Sequence, residues 1–127
     1  MSLCESGNTL AGKGKYIAAR EKYQAALDLI PYPRYDRAES VWVYTAIGDV
    51  SYLAGDNAEA QKCLQEAMKC RDGLGNPFIL LRLGESFYDT GDLIKARDYL
   101  FQAYIIEGKD IFSDEDEKYY ACIEDIL

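Results

Sequence analysis

Small and large apolar residues recur along this chain in the same order three times. Gly7, Gly48 and Gly84 are each followed by a second glycine after seven residues and by an alanine after twelve. A large apolar residue comes after sixteen residues and another alanine after nineteen. These columns are Gly14, Gly55 and Gly91; Ala19, Ala60 and Ala96; Tyr23, Leu64 and Leu100; and Ala26, Ala67 and Ala103. Self-similarity of this kind predicts one structural unit used three times.

Each copy predicts a pair of helices. The first glycine and the two alanines are small enough for neighbouring helices to approach closely, and the large residue fills the space beside that contact. The second glycine predicts the end of the first helix, because glycine adopts the left-handed backbone without a Cβ penalty. The predicted helices span about 2–11, 15–30, 37–53, 57–71, 77–90 and 93–107.

Cap signals agree with these helix starts. Asp56 has a glutamate three residues on, as in a capping box, and Asp92 takes the same place after Gly91. Asn76 stands before Pro77, which suits the first position of a helix. A further cap signal at Asp36 predicts that the third helix begins before Val41 and gains an extra turn.

The end of the chain differs in composition. Residues 107–127 hold eight acids and two bases, so six of the eight net negative charges of the chain lie there. Ser113 with Asp116 predicts a helix start, and one apolar stripe follows at helical spacing: Tyr119, Tyr120, Cys122, Ile123, Ile126 and Leu127. We expect a terminal helix that covers the apolar face of the last repeat, with an acidic recruitment tail as the alternative.

These residues resemble the tetratricopeptide repeat, whose pattern is a large residue, Leu-Gly, an aromatic, then alanine and a large apolar residue after the turn. The matching positions are Leu3, Ser6, Gly7, Leu10, Ala19, Tyr23 and Pro31; Tyr44, Ile47, Gly48, Ser51, Ala60 and Leu64; and Leu80, Leu83, Gly84, Phe87, Ala96 and Leu100.

The resemblance implies an all-α chain: an α-solenoid of three antiparallel helix pairs in a right-handed superhelix, plus a C-terminal capping helix. We expect a single domain over 1–127. Its repeats are expected at about 1–34, 36–73 and 76–108, and the capping helix at about 114–127.

In the family, the first helices of successive repeats line a concave groove that receives an extended peptide or a partner's helix. The resemblance places nine residues there: Asn8, Trp42, Thr45, Asp49, Tyr52, Phe78, Arg82, Glu85 and Tyr88. Helical spacing independently puts positions 42, 45, 49 and 52 on one face, and 78, 82, 85 and 88 on another. The alternative for Trp42 and Phe78 is packing between adjacent helices.

The family's two-carboxylate clamp for acidic peptide tails is not predicted. Only Asn8 and Arg82 match its residue types, and Asp49 and Glu85 add negative charge. Other residues occupy its remaining slots: Cys4, Ala46 and Phe78. The mixed lining predicts a partner segment with apolar anchors and some basic character.

Composition favours binding over chemistry. The 127 residues contain no histidine, which removes the commonest general base and zinc ligand, so we expect no catalytic, cofactor or metal set. A net charge of −8 argues against nucleic acid and anionic membrane as partners. The N-terminus carries no leader pattern, and four scattered cysteines predict small buried thiols in a reducing cytoplasm: Cys4, Cys63, Cys70 and Cys122.

We therefore expect a cytoplasmic, non-enzymatic module that binds a protein or peptide. One alternative is self-assembly into a homodimer through the first repeat, which lacks a cap: Met1–Ala11 is expected to fray, or natural sequence upstream of it has been removed. Others are a bacterial regulatory or chaperone-type partner protein, and an enzyme that uses Asp49 and Glu85 as a carboxylate pair.

Overall fold

The computed structural model describes residues 2–127, and every regular element in that range is helical. The six long helices are α1 (Leu3–Gly12), α2 (Tyr16–Asp28), α3 (Ala38–Leu53), α4 (Asn57–Lys69), α5 (Pro77–Asp89) and α6 (Leu93–Glu107). The shorter elements are α7 (Glu117–Ala121) and three 3₁₀ turns, Arg34–Asp36, Lys109–Phe112 and Glu124–Ile126. The all-α prediction is confirmed, and the six long helices begin and end within two residues of their predicted bounds.

The chain divides into two compact units. The first ends at Leu74 and contains α1 to α4, while the second spans Gly75–Leu127. In the first unit α1 packs against α2, α2 against α3, and α3 against α4; in the second, α5 packs against α6. The predicted helix pairs are therefore the packing pairs.

The repeated glycines sit where two helices of a pair approach most closely. A Cβ atom added at any of the three would lie 2.6 Å from a side-chain carbon of the paired helix, far inside van der Waals contact. The facing residue is the large apolar one of the same copy: Tyr23 for Gly7, Leu64 for Gly48 and Leu100 for Gly84. The prediction of close helix approach at these glycines is thus confirmed.

The turn inside each pair has one geometry. Gly14, Gly55 and Gly91 have φ values of 76°, 86° and 89°, in the left-handed region. After Gly55, the Asp56 N–H donates to the Ser51 carbonyl at 2.8 Å, and equivalent bonds close the other two turns. This six-to-one bond satisfies a carbonyl that the helix end leaves open.

Three of the four caps predicted for the long helices form. Asp56 accepts from the Glu59 N–H and Asp92 from the Lys95 N–H, both at 3.2 Å, while Asn76 accepts from two N–H groups of α5. The Asp36 cap is wrong, because Asp36 belongs to a 3₁₀ turn and α3 has no side-chain cap. The helix nonetheless starts before Val41, as predicted.

The first helix begins with a capping box instead of a frayed edge. The Ser2 hydroxyl accepts from the Glu5 N–H at 3.1 Å, and the Glu5 carboxylate accepts from the Ser2 N–H at 3.4 Å. These two residues lie outside the repeat columns, so the column comparison missed them. Met1 lies outside the described residues.

The C-terminal segment is not one helix over 114–127. Asp116 has an extended backbone with a ψ of 137°, which interrupts a helix, and Glu115 beside it contacts Arg82 of α5. The chain instead passes from a 3₁₀ turn into the five-residue α7, which Asp116 caps by accepting from the Lys118 N–H at 3.0 Å. The predicted start at Ser113 is therefore wrong, while Tyr119 and Ile123 of the predicted stripe are buried.

Candidate partner-binding site

The nine predicted site residues divide between the two units. Five lie on α1 and α3 of the first unit: Asn8, Trp42, Thr45, Asp49 and Tyr52. Four lie on α5 of the second unit: Phe78, Arg82, Glu85 and Tyr88.

In the first unit, Tyr23 of α2 links the two site-bearing helices. Its buried side chain lies under them, and its hydroxyl donates to Asn8 Oδ1 at 2.5 Å. Its ring meets Trp42 edge-on, with 5.9 Å between the ring centroids and an interplanar angle of 80°. The sequence placed Tyr23 only as a core residue; its position beneath the predicted site is set by the packing of α2 between α1 and α3.

Trp42 is both packed and open to solvent. Its ring packs against Tyr23 at a centroid distance of 5.9 Å, yet 46% of the residue is exposed. The alternative of packing between helices therefore accounts for only part of this side chain. A large aromatic surface held in place by a buried neighbour is typical of binding sites, because little side-chain entropy is lost on contact.

Asp49 lies close enough to Tyr23 to act on its hydroxyl. Burial is the main cause that raises the pKa of Tyr23, and the Cys4 and Asp49 charges add to the rise. Thr45 is occupied locally, since its hydroxyl donates to the Val41 carbonyl at 2.6 Å. Asp49 and Tyr52 are half-buried on the same helix.

The two site-bearing helices of the first unit carry acids and no bases. Glu5 lies three residues before Asn8, and Glu39 three residues before Trp42, so each shares a face with a predicted site residue. The basic side chains of the unit's helices lie on α2 and α4 instead: Arg20, Lys22, Lys62 and Lys69. Sequence reasoning missed Glu5 and Glu39 because it carried over only the family's positions.

In the second unit, Arg82 is held on several sides. Its guanidinium lies 5.1 Å from the centroid of the Phe78 ring. Its Nη1 atom contacts Glu85 Oε1 at 2.6 Å and Glu115 Oε1 at 2.5 Å. Glu115 comes from the segment between the Lys109–Phe112 turn and α7, so the C-terminal segment reaches the helix that bears the site.

Glu85 does not face a partner. The prediction that it lines a groove is wrong, because the residue is fully buried. Its Oε2 atom has no hydrogen-bond partner within the described chain. Burial raises the pKa of Glu85 to about 8; the nearby Glu115 carboxylate contributes to the rise and Arg82 opposes it.

Tyr88 is also covered by the C-terminal segment. Its ring meets that of Tyr119 edge-on at 5.4 Å, and Lys118 Nζ lies 5.8 Å from its centroid. The Tyr119 hydroxyl donates to Asp89 Oδ1 at 2.7 Å. The apolar stripe predicted that this segment covers the apolar face of the last repeat. It did not predict the contacts with Arg82 and Tyr88.

A second set of contacts attaches the segment to α6. Arg97 donates to both carboxylate oxygens of Asp125, at 2.9 and 3.1 Å, and to the Cys122 carbonyl at 3.1 Å. The guanidinium lowers the pKa of Asp125. Ile123 between them is fully buried and anchors the end of the chain.

The cysteines are free thiols of low reactivity. Cys63 and Cys70 are buried, and Cys4 and Cys122 are half-buried. Burial raises the pKa of Cys63 to about 12, with Glu59 adding to the rise, so its thiolate is scarce at neutral pH. Within residues 2–127, no helix combines the length and apolar character needed to cross a membrane.

Solved structures with this fold include complexes with a peptide and with a binding region of another protein. The Yersinia enterocolitica type III secretion chaperone SycD, in complex with a peptide of the translocator YopD, matches with a TM-score of 0.76 at 21% identity, over 98% of this chain and 88% of SycD. PcrH in complex with the chaperone binding region of PopD matches with a TM-score of 0.75 at 18% identity, over 98% and 87%. Pseudomonas aeruginosa PcrH gives 0.75 at 16% identity, over 98% and 88%.

Family models identify the repeat directly. A tetratricopeptide repeat model matches residues 1–72, more than half of the chain, and a second matches residues 82–110. No curated protein sequence matches the chain significantly. The chain belongs to the tetratricopeptide repeat family.

Proposed function

We propose that this chain is a non-enzymatic protein-binding module that takes a peptide segment or a helix of a partner protein on the face of α1 and α3. Trp42 carries the proposal. It is a large aromatic side chain, half exposed, fixed from below by Tyr23, whose hydroxyl in turn holds Asn8. Aromatic residues in such supported positions supply much of the energy at protein interfaces.

The solved structures favour a partner of the same kind. SycD holds a peptide of the translocator YopD, and PcrH holds the chaperone binding region of PopD. A chaperone-type role toward a segment of a larger partner therefore suits this chain, and such a role requires no catalytic residue. We place it in the cytoplasm.

Charge narrows the chemistry of the partner segment. Glu39 and Asp49 flank Trp42 on one helix that has no base, so they favour lysine or arginine beside an apolar anchor. Arg82 of the second unit is engaged by Glu85 and Glu115, so we do not assign it to an acidic peptide end. The partner segment is thus apolar and basic.

Because Trp42 is the single tryptophan of the chain, its fluorescence reports on the site directly. Affinity capture from the native lysate would supply a candidate partner, and overlapping peptides of that partner would then be titrated. Binding at the site should shift the Trp42 emission to the blue as the ring loses water. Trp42→Ala should weaken binding about tenfold or more, as expected of a hot-spot residue.

Ile17→Ala is the matched control, because Ile17 is 62% exposed on α2 of the same unit and lies outside both the proposed face and the connection between α2 and α3. Its binding should equal that of the wild type. Full binding by Trp42→Ala, or a peptide that binds without changing the tryptophan emission, would contradict the proposed site.

Self-association is a second candidate, favoured by apolar side chains beside the connection between α2 and α3. Leu29 and Tyr32 are 74% and 77% exposed there. Light scattering over a hundredfold range of concentration, about 1–100 μM, covers the affinities of weak and firm dimers. A mass of one chain throughout would reject a dimer, and Leu29→Arg should dissociate one that forms.

A further inference from the structure

We propose that residues 113–119 form a proton-dependent latch, which covers Arg82 and Tyr88 of α5 while Glu85 holds a proton and opens when Glu85 loses it. The latch itself stands on the geometry of the second unit. Only the idea that a protein partner uses the uncovered face of α5 rests on the proposed function, which assigns the chain to protein binding.

The charges around Arg82 do not balance if both glutamates are ionised. Glu85 and Glu115 approach the same Nη1 atom, at 2.6 and 2.5 Å. Glu85 is fully buried, and the Arg82 and Glu115 side chains are only 15% and 14% exposed. Two ionised carboxylates beside one guanidinium cost free energy at a buried position, because water does not screen their repulsion.

A proton on Glu85 removes both the charge imbalance and the unpaired oxygen. Glu85 Oε2 has no hydrogen-bond partner in residues 2–127, and a buried acceptor left in this state costs free energy. Protonation makes the Glu85 carboxyl group a hydrogen-bond donor, and Glu115 supplies the neighbouring carboxylate that can accept. The raised pKa of Glu85, about 8, has burial as its first cause and agrees with this assignment. The charged groups that act on it are Arg82 of its own helix and Glu115 of the C-terminal segment.

Loss of the proton favours release of Glu115. Glu85 is fixed in the core of its helix pair, whereas Glu115 lies on a short connection and can reach water. Once Glu115 departs, Arg82 and Glu85 remain as a neutral ion pair. The closed latch therefore binds one proton more than the open latch, so rising pH favours opening.

The latch can open without loss of the whole C-terminal segment. The five-residue α7 is too short to be stable by itself, so its position depends on the contacts of Glu115, Lys118 and Tyr119. Farther on, Ile123 is fully buried and Arg97 holds Asp125. Opening would expose Tyr88, and a partner that binds the opened face would shift the equilibrium further by linkage.

Hydrogen exchange of the 117–121 amides measures the latch without any partner. After correction for the intrinsic effect of pH on exchange, protection in the wild type should fall about tenfold between about pH 6.5 and pH 9. Glu85→Gln keeps a neutral donor in place and should hold protection constant within about twofold over this range. Asp125→Asn is the control: it should lower protection near residue 125 and keep the pH dependence at 117–121.

An equal pH dependence in Glu85→Gln, or none in the wild type, would overturn the latch. Circular dichroism would verify that Glu85→Gln folds. If it does not, Glu115→Gln tests the same claim from the other side, because removal of the second carboxylate should also abolish the pH dependence. A confirmed latch together with unchanged partner binding by Trp42→Ala would reject the proposed function alone.

Discussion

Asp49 and Glu85 occupy the same repeat column, one residue after the packing glycine, yet their surroundings are opposite. Asp49 of the first unit is half-buried on a helix that presents Trp42 to solvent. Glu85 of the second unit is fully buried, with Arg82 and Glu115 beside it. A repeat column therefore fixes which side of the helix a residue occupies. Whether that side is open depends on where the rest of the chain returns.

The largest effect is expected when the buried residue that anchors the C-terminal segment of the second unit is truncated. Ile123→Ala should destabilise the protein by about 2–4 kcal/mol, because it leaves a cavity at a fully buried position. It should also raise the hydrogen exchange of the 117–121 amides. Chemical denaturation measures the first effect.

Ile126→Ala is the matched control, since Ile126 is a surface residue of the same segment and should change stability by less than about 0.5 kcal/mol. Equal losses in the two variants would mean that the segment is not anchored at Ile123.

Alanine substitution of the packing glycine should cost more stability in the second unit than in the first. An alanine Cβ at 84 would lie 2.6 Å from Leu100 Cγ and 3.1 Å from the Leu100 backbone nitrogen. At 48, the leucine side chain is equally close, but the nearest backbone atom is 3.4 Å away. Because backbone yields less readily than a side chain, Gly84→Ala should cost about 2–3 kcal/mol and Gly48→Ala about 1–2 kcal/mol.

Urea denaturation of the two variants in parallel would measure this difference. Equal losses in the two variants would show that the leucine side chains, and not the backbone contacts, limit the approach of the helices.

The pH dependence of the free energy of unfolding should depend on Glu85 and not on Asp49, the other acid of the shared column. Folding raises the pKa of Glu85 from 4.5 to about 8, so the folded state binds a proton that the unfolded state releases above pH 4.5. The proton-linked stabilisation is full below the unfolded pKa and declines as pH rises through the folded one. Glu85→Gln should therefore gain about 1–2 kcal/mol relative to wild type between about pH 6.5 and pH 8.

Thermal unfolding across that pH range measures the change. Asp49→Asn keeps Glu85 and should retain the wild-type decline. A decline of the same size in Glu85→Gln would assign the pH dependence to other groups.

Local chemistry made most of the fold predictable. The glycine, alanine and cap residues act within a few positions of themselves or across one helix pair, so the six long helices and their pairing follow from the sequence. The C-terminal segment was harder, because its course depends on Glu115 reaching Arg82, thirty-three positions earlier in the chain. Tyr23 as the support of Trp42 depends in the same way on packing among three helices.

The proposed site is tested most directly by the affinities of Trp42→Ala and Tyr88→Ala for one labelled partner peptide at neutral pH. Trp42 is open and Tyr88 lies under Lys118 and Tyr119. Trp42→Ala should weaken binding about tenfold or more, and Tyr88→Ala less than about threefold. A larger loss from Tyr88→Ala would contradict the claim that the face of α1 and α3 binds the partner.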